Sequence, residues 1–405
     1  LVASTAAKLP ADHLAYRLSA GLAKKYGPDP YWVRVGAEEV LLLTHPDDIR
    51  IALGGSPDPF ASDPEAKRKG MRAFQPDALT ISRGNLWADR RRFAEAVLQT
   101  DRPVHKLARG FIAIALAEAD ALLATDGPIA FADVDDAFSR ITRRVVFGDA
   151  AADDTALTDQ LAALMAAGNK MPGKPAKGYA AFVDHLQRYV DAPDPAALTG
   201  MVAKAPHDAD THVAGQLIHW LFAMGDTLPA NLFRALALLA THPLQAAEVR
   251  HELAGKRLTT VKNVAGADYL AGCILDTMRL WPTTPLFGRV LTEDFRWPNG
   301  ELTPAGTQVM IHNLFNHRNR ERFDYADRFA PEEWASGTAG EDWSFNFFSH
   351  GPQGCPGAGL SILLGQAFLA RLLTEGAPRL VAGPRLRPVT PLPYALDVYA
   401  LQFRL

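Results

Sequence analysis

The stretch Phe347–Leu360, which reads FFSHGPQGCPGAGL, places one cysteine, Cys355, in a loop rich in glycine and proline. These glycines and prolines prevent a regular helix, so the thiol lies on irregular backbone whose N–H groups can point at sulfur. An apolar run, Leu360–Leu373, follows the loop. A thiolate held in this way is suited to bind a metal.

Two simpler interpretations of the loop were weighed. A lone cysteine is usually a small buried hydrophobic residue. Gly357-Ala358-Gly359 could also be half of a dinucleotide-binding loop, but the third glycine position of that motif falls on Ile362. The segment before it is a cluster of turn residues, where a dinucleotide fold needs a strand.

Composition narrows the class of protein. The chain has 405 residues and a net charge of −3, without a basic cluster, which argues against a nucleic-acid partner. Its two cysteines, Cys273 and Cys355, are too few for a disulfide framework and fit a reducing compartment. We find no apolar stretch of about 18 residues and no signal peptide at the N-terminus, so we expect a cytoplasmic protein without a membrane span.

Hydrophobic periodicity predicts a mainly helical chain with a small, mostly N-terminal β region. Residues His45-Pro46-Asp47 predict a helix start. The predicted strands are Tyr31–Val35 and Glu39–Leu43 around Gly36, then Phe287–Leu291 and Gln308–Ile311. The predicted helices are Trp87–Leu98, Val104–Leu123, Ala137–Phe147, Thr155–Ala167, Ala176–Ala192, Tyr269–Leu280 and a long Asp208–Ala240 helix broken at Pro229.

The break at Pro229 predicts a polar notch. Proline has no N–H and its ring clashes with the carbonyl four residues earlier, so the Gly225 carbonyl should lose its helical partner. Asp226 and Thr227 stand beside that carbonyl and could bind water or a small ligand. The alternative is a kinked core helix in which both side chains satisfy local backbone groups.

The spacing F-x-x-G-x-x-x-C-x-G, from Phe348 through Gly351 and Cys355 to Gly357, resembles the haem-thiolate loop of the cytochrome P-450 monooxygenases. Seven partial motif matches stand in the family's chain order. The resemblance implies a single-domain cytochrome P-450 fold of the soluble bacterial type, haem b as cofactor and Cys355 as the axial iron ligand. Phe348 and Gly357 would then contact the haem.

The central helix resembles the family's A-G-x-[DE]-T pattern, which implies that Ala223 faces the haem. Asp226 and Thr227 become the acid–alcohol pair that delivers protons to bound dioxygen. Met224 stands where the pattern usually has glycine.

Basic residues are expected to hold the haem propionates, because an apolar disc with two carboxylates needs paired donors and apolar walls. Trp87 and Arg91 share a helical face and resemble the family's W-x-x-x-R helix. Arg289 resembles the second propionate arginine. Gln353 stands where the family usually has Arg or His, so His350 is a further candidate.

Two scaffold motifs depart from the family pattern. Asp276 and Arg279 resemble the E-x-x-R element with a shorter acid, and Glu333 replaces the arginine that often completes the meander network. Either Arg279 pairs with both Asp276 and a meander carbonyl, or Arg328 takes the place of the missing meander arginine. These departures suggest an outlying subfamily.

We therefore expect one domain over residues 1–405. Its β-rich part would comprise about 29–45, 287–312 and 380–405, and its helical body 46–286 and 313–379. The expected function is an oxidoreductase that uses dioxygen and electrons from a separate ferredoxin- or flavodoxin-type donor to oxidise a medium-sized hydrophobic molecule. We expect Arg90 and Arg92 to suit an acidic electron donor.

Three alternatives stay open at this point. A peroxide-driven peroxygenase of the same fold would need an arginine in place of Asp226-Thr227, and the next arginine, Arg234, is two turns further on. A non-catalytic haem protein is the second. The third is a metal site formed by His207, Asp208, Asp210 and His212.

The substrate itself cannot be identified from the sequence. By resemblance, its pocket draws on residues 59–79, 171–179, 217–223, 283–287 and 392–394.

Overall fold

The structure is a computed structural model that describes residues 5–27, 29–35, 38–170, 173 and 176–405. Gly36, between the first two predicted strands, and residues 171, 172, 174 and 175 of one predicted substrate segment lie outside the described residues.

The described chain is mostly helical, as expected from the sequence. Its α-helices are α1 (Thr5–Tyr26), α2 (Pro46–Gly54), α3 (Glu65–Met71), α4 (Gly84–Leu98), α5 (Ala108–Leu123), α6 (Phe131–Phe147), α7 (Ala156–Lys170), α8 (Tyr179–Asp191), α9 (Thr199–Val202), α10 (Val213–Phe222), α11 (Leu228–Thr241), α12 (Pro243–Leu253), α13 (Val261–Ala265), α14 (Asp268–Leu280), α15 (Asn313–His317), α16 (Glu332–Ala335) and α17 (Ala358–Glu375). Short 3-10 turns lie at Leu79–Ile81, Asp149–Ala151, Ala209–Thr211, Ala339–Glu341, Gly351–Gln353 and Val398–Ala400.

The strands are β1 (Tyr31–Val35), β2 (Glu38–Leu43), β3 (Phe60–Ala61), β4 (Ile129–Ala130), β5 (Leu286–Leu291), β6 (Phe295–Arg296), β7 (Leu302–Thr303), β8 (Gln308–His312), β9 (Arg379–Ala382) and β10 (Gln402–Arg404). They form a five-stranded sheet in the order β1-β2-β8-β5-β3, a three-stranded sheet β4-β10-β9 and a two-stranded pair β6-β7. In the largest sheet only β2 and β8 run parallel, with Leu41 opposite Val309. The C-terminal strands thus join β4, a partner that the sequence did not predict.

Helix α2 shows how local sequence sets an element. His45 caps it by accepting a hydrogen bond from the Asp47 N–H, and Pro46 occupies the first turn, where no N–H is needed. Asp47 and Asp48 lie in the same first turn, where their negative charges interact favourably with the helix dipole. The predicted helix start is confirmed.

The predicted long helix from Asp208 to Ala240 differs in two places. Asp208 accepts hydrogen bonds from the N–H groups of Asp210 and Thr211 and so caps a separate 3-10 turn. His212 then adopts a left-handed φ of 49°, and helix α10 begins only at Val213. Capping by the short polar side chain has outcompeted continuation of the helix.

The second difference is the position of the irregularity near Pro229. A π-helical segment, Ala223–Thr227, joins α10 to α11, and Pro229 lies in the first turn of α11. The irregular turn therefore comes before the proline and not at it. The cause is the one expected, because a proline lacks the N–H that would bond the carbonyl four residues back.

Helix α17 is a long core helix. It packs against α5, α14 and α11 in the main hydrophobic core. With 18 residues and a mean hydropathy of 1.2, it is the one described helix long and apolar enough to cross a membrane, although 61% of it is buried inside the protein. The expectation that no stretch reaches this length and apolarity is wrong, because Gly359, Ser361 and Gln366 do not lower the mean enough.

The scaffold network is centred on a buried pair, Asp276 and Arg279, one turn apart on α14. Arg279 Nε donates to Asp276 Oδ1 at 2.5 Å, and other Arg279 nitrogens donate to the carbonyls of Ala326 and Arg328 at 2.9 and 2.7 Å. Asp276 also accepts from Trp334 Nε1 at 3.0 Å. Arg279 thus pairs with both Asp276 and meander carbonyls, which is the first of the two expected arrangements. The indole N–H of Trp334 gives the shorter acid an additional hydrogen bond.

Arg328 does not take over this role. Its side chain is exposed and only its carbonyl enters the network. A second buried arginine, Arg318, pairs with Asp327 at 2.7 Å and donates to the carbonyls of Leu392 and Pro393. That pair ties the C-terminal segment to the meander.

Asp276→Asn should lower the free energy of unfolding by about 3–5 kcal/mol, because it leaves the Arg279 charge buried without a counter-ion. Chemical denaturation of the haem-free protein measures this. Asp268→Asn, exposed on the same helix, is the matched control and should cost less than about 1 kcal/mol. Equal losses in both variants would contradict a special role for the buried pair.

Candidate functional site

The cysteine loop is held by two residues with left-handed backbone. Ser349 has φ of 57° and Gly351 has φ of 67°. A Cβ on Gly351 would lie 2.6 Å from the Leu53 carbonyl oxygen of α2, so only glycine fits there. The Cys355 N–H donates to the Phe348 carbonyl at 2.7 Å and closes the loop just before α17.

The surroundings of the Cys355 thiol act on its pKa in two directions. The residue is exposed by surface area, yet enough protein surrounds its sulfur that burial raises the pKa of the thiol. A hydrogen bond from the Gly357 N–H and the charge of Arg91 act in the opposite direction and favour the thiolate. By contrast, Cys273 is fully buried in α14 and burial raises the pKa of its thiol well above the usual value.

Arg91 connects α4 to the cysteine loop. Its Nη1 donates to the Gly354 carbonyl, and its Nε pairs with Glu95 at 2.6 Å. Trp87 lies one turn earlier on the same helix face and packs partly buried against the main core. Arg91 therefore contacts the loop, and Trp87 shares its helix face. Their contact with a cofactor stays a prediction.

Arg289, on β5, is a buried cation without a carboxylate partner among the described residues. Its guanidinium donates to Ser56 Oγ at 2.8 Å, to the Gly288 carbonyl at 3.1 Å and to Ser349 Oγ of the cysteine loop at 3.4 Å. Burial lowers the pKa of Arg289 to about 9. A buried guanidinium that has only neutral acceptors lowers the stability of the folded protein. An anionic group bound at this position would compensate its charge.

Lys67 adds a second positive charge near Arg289. Its Nζ donates to the carbonyls of Ser62 and Thr80, both at 2.9 Å. Burial and then the charge of Arg289 lower the pKa of Lys67 to about 7. Asp63 attracts Lys67, but its carboxylate is already bonded to Arg83 at 2.7 Å and to Arg68. Sequence analysis missed Lys67, because a lysine in a charged helix looks solvated.

The π segment places Asp226 and Thr227 as neighbours in a half-buried turn. Thr227 Oγ1 donates to the Ala223 carbonyl at 2.8 Å, and Asn231 Nδ2 donates to the Thr227 carbonyl at 3.0 Å. Asp226 has no hydrogen bond to a described residue, and burial raises its pKa. The hydrogen bond to Ala223 leaves the lone pairs of Thr227 Oγ1 available to accept a hydrogen bond.

Two aromatic positions of the loop differ in their contacts. Phe348 is partly buried against the main core and packs edge-on to Phe347 at 5.6 Å. His350 Nε2 bonds to the Phe345 carbonyl at 3.1 Å, and its ring stacks on Trp343 at 4.9 Å. His350 is thus engaged in holding the loop, and a cofactor contact of its ring stays a prediction.

The expectation for Arg90 is wrong. Arg90 is 3% exposed and bonds to Ser82 Oγ at 2.8 Å and to the Asp210 carbonyl, so it is unavailable to a partner protein. Arg92 is exposed and pairs with Asp89. The sequence alone does not show which of three consecutive arginines is buried, because this depends on which side of the helix faces the core.

The metal site and the peroxygenase are not supported by the geometry. Among the described residues no group of three or more His, Cys, Asp or Glu side chains could hold a metal ion, and Asp208 acts as a cap. Arg234 donates to the Leu396 and Trp281 carbonyls, which places it away from the Asp226-Thr227 turn. The carbonyls of Leu392 and Pro393, from one predicted substrate segment, are bound by Arg318.

The chain thus combines a thiol in an irregular loop, an irregular central helix and a buried cation, Arg289, that is bonded to the cysteine loop. The cytochrome P450 family model matches residues 197–375. A crystal structure of a cytochrome P450, CYP102L1, superposes with a TM-score of 0.76 at 16% identity, covering 97% of this chain and 98% of that chain, which shows a common fold.

Curated relatives agree with this. Cytochrome P450 4c3 of Drosophila melanogaster is 32% identical over 164 residues, covering 38% of this chain and 30% of the relative. Cytochrome P450 4A22 of Homo sapiens is 27% identical over 185 residues, covering 45% and 35%. The matched region spans about a third of the length of these relatives. Residues 197–375 thus match the cytochrome P450 family, and the chain has the cytochrome P450 fold, which carries haem b ligated through a thiolate.

Arg289→Met should leave the haem-free protein as stable as the wild type or more stable, because it removes an uncompensated buried charge. The same variant should bind added haem more weakly, since the charge would otherwise pair with an anionic group. Thermal melting of the haem-free protein and an absorbance titration with haemin measure the two effects.

Arg318→Met is the matched control, because Arg318 is equally buried but already paired with Asp327. It should destabilise the haem-free protein by about 3 kcal/mol or more. If Arg289→Met destabilises the haem-free protein as strongly, Arg289 has a counter-ion already.

Proposed function

We propose that this protein is a haem-thiolate monooxygenase in which Cys355 is the iron ligand. The observation that carries the proposal is the Cys355 thiol, which lies in a loop of irregular backbone and is favoured as thiolate by the Gly357 N–H and the charge of Arg91. The overall reaction is R–H + O₂ + 2 e⁻ + 2 H⁺ → R–OH + H₂O. Cys273, fully buried in α14, takes no part.

The residues at the site fit a haem. A haem is an apolar disc with two carboxylates, and Arg289 is a buried cation without a carboxylate partner among the described residues, with Lys67 close to it. Trp87 and Phe348, both partly buried, would supply apolar walls. We infer that Arg289, Arg91 and Lys67 hold the propionates, which would compensate the buried charge.

When bound, the haem supplies dioxygen binding and O–O cleavage, which a thiolate ligand favours. The chain supplies protons and a dry pocket. Burial raises the pKa of Asp226, so its carboxyl keeps a proton at a higher pH than an exposed aspartate does. Thr227 Oγ1 donates to Ala223 and can therefore accept a hydrogen bond from water or from a ligand at this turn.

The finer assignments rest on this proposal. The substrate would be a medium-sized hydrophobic molecule, and a separate ferredoxin- or flavodoxin-type protein would supply the electrons. Arg92, exposed on α4, suits an acidic donor. We also propose that residues 1–405 form one domain, since one hydrophobic cluster runs from Ala73 to Phe403, and that the protein is cytoplasmic.

Cys355→Ser should abolish the red-shifted absorbance band of the reduced carbon-monoxide complex, because serine cannot supply a thiolate. Cys273→Ser is the control and should keep the band. Absorbance spectra of both variants, reconstituted with haemin, measure this. An unchanged band in Cys355→Ser would contradict the proposed function.

A further inference from the structure

Helix α6 carries a polar face toward the π segment. Asp135, Ser139 and Thr142 stand at positions i, i+4 and i+7, which lie on one side of a helix. Helix α6 packs against Ala223–Thr227, and a Cβ on Gly225 would lie 3.9 Å from Thr142 Oγ1. The face that bears these side chains is therefore turned toward the segment that contains Asp226.

Two contacts fix the direction of this packing. Near the start of α6, the Phe131 ring lies 5.8 Å from the Phe233 ring of α11, while Thr142 lies near Gly225. Helix α6 thus runs antiparallel to the π segment and α11. Asp135 and Asp226 both lie between the two contacts.

Several polar atoms between these elements lack partners among the described residues. Neither Asp135 nor Asp226 has a hydrogen bond or ion pair with a described residue, and both are half-buried. Thr142 is 1% exposed, and within the described part of the chain neither its Oγ1 nor the buried Oδ1 of Asn231, whose amide bonds to the Thr227 carbonyl, has a hydrogen-bond partner. Buried polar atoms are rarely left unpaired, so water molecules are expected to fill this interface.

The Asp135 end of the face is close to solvent. Tyr399 is 62% exposed and its ring packs edge-on against Phe131 at 5.2 Å, one turn before Asp135. Burial, then Asp135 and Asp226, raise the pKa of Tyr399. The tyrosine therefore marks where the interface between α6 and the π segment opens to the surface.

The charged side chains of the described residues around Asp135 are negative or are bonded elsewhere. Asp226 faces it from the π segment, Asp136 follows it on α6, and Tyr399 with Asp397 faces it from the turn Val398–Ala400. The basic residues of α6 and α11 are bonded elsewhere: Arg140 and Arg144 to Glu118, Arg143 to the Ala152 carbonyl, and Arg234 to the Leu396 carbonyl. Burial and then Asp226 raise the pKa of Asp135 to about 6.

We propose that Asp135 is the entry point for protons, which pass from solvent beside Tyr399 through Asp135 and water on the Ser139–Thr142 face of α6 to the Asp226 carboxylate. The inference rests on the proposed function. Asp135 gives one proton to the water chain and regains one from solvent, so it is unchanged after each turnover. Because it acts through Asp226, it is a positioning residue and not a catalytic one.

The first test is the pH profile of turnover. The haem-loaded protein is supplied with a surrogate ferredoxin and reductase, with 7-ethoxycoumarin as probe, and dioxygen consumption is followed from pH 5 to 8. The wild-type rate should fall as the pH rises through about 6, where Asp135 loses its proton. Asp135→Asn should be slower at pH 5.5 by about a hundredfold and should lack the inflection.

Two variants separate a relay from a structural role. Asp135→Glu should restore the inflection, and Asp136→Asn, exposed on the next position of α6, should behave as the wild type. Peroxide-driven oxidation of the same probe, R–H + H₂O₂ → R–OH + H₂O, brings its own protons and should be equal in wild type and Asp135→Asn.

The second test needs no turnover. A carboxyl whose pKa is raised on folding binds its proton more tightly in the folded state, so its contribution to stability is present at low pH and is lost as the pH rises. Relative to Asp135→Asn, the wild type should lose melting temperature between about pH 4 and about pH 6. In an Asp226→Asn background this loss should move to lower pH, because the repelling charge is gone.

The outcomes discriminate between the two proposals. A wild type without the thiolate carbon-monoxide band contradicts the proposed function. A wild type with that band, together with an Asp135→Asn protein that keeps the wild-type pH profile, overturns the proton entry alone. Equal loss of peroxide-driven activity in Asp135→Asn would also overturn it, since that result indicates a structural defect.

Discussion

Burial of positive charge is the constraint on which the rest of this structure depends. Among the described residues, three arginines are 2% exposed or less, and they differ in their partners. Arg279 and Arg318 have carboxylate partners, Asp276 and Asp327, and several carbonyls besides. Arg289 has hydroxyl and carbonyl acceptors only. A buried charge without a counter-ion costs several kcal/mol, so the paired arginines hold the scaffold and the unpaired one marks where an anionic group binds.

Irregular backbone places the reactive groups in both halves of the site. Gly351 approaches the Leu53 carbonyl so closely that no side chain fits, and this approach fixes the turn that presents Cys355. On the opposite side, Pro229 cannot donate to the carbonyl of Gly225, and the helix responds with the π segment. In each case a residue with restricted or unusual backbone geometry exposes polar groups that a regular helix would have used internally.

Much of the fold follows from local sequence. Strand β1 matches its predicted bounds, and α2 begins at Pro46 as expected. Strands β3 and β4 could not be predicted, because two residues carry no periodicity and the strands exist only through distant partners, Leu291 and Phe403. Helix α1 was also missed.

The residues of the candidate site could be predicted where a sequence motif fixes their spacing. They could not be predicted where burial determines which side chains are in contact. Spacing brought Arg91 beside the cysteine loop. Spacing could not show that Arg90 is buried or that Lys67 lies near Arg289. It also could not show that the Trp334 indole N–H donates a hydrogen bond to Asp276. Those contacts join residues far apart in the chain, and a single sequence does not contain their distances.

Iron K-edge X-ray absorption of the haem-reconstituted protein tests the central claim most directly, because it identifies the atoms bound to the metal. The account predicts four porphyrin nitrogens and one sulfur in the first shell of the wild type, and the same sulfur in Cys273→Ser. A first shell of nitrogen and oxygen alone in the wild type would contradict it.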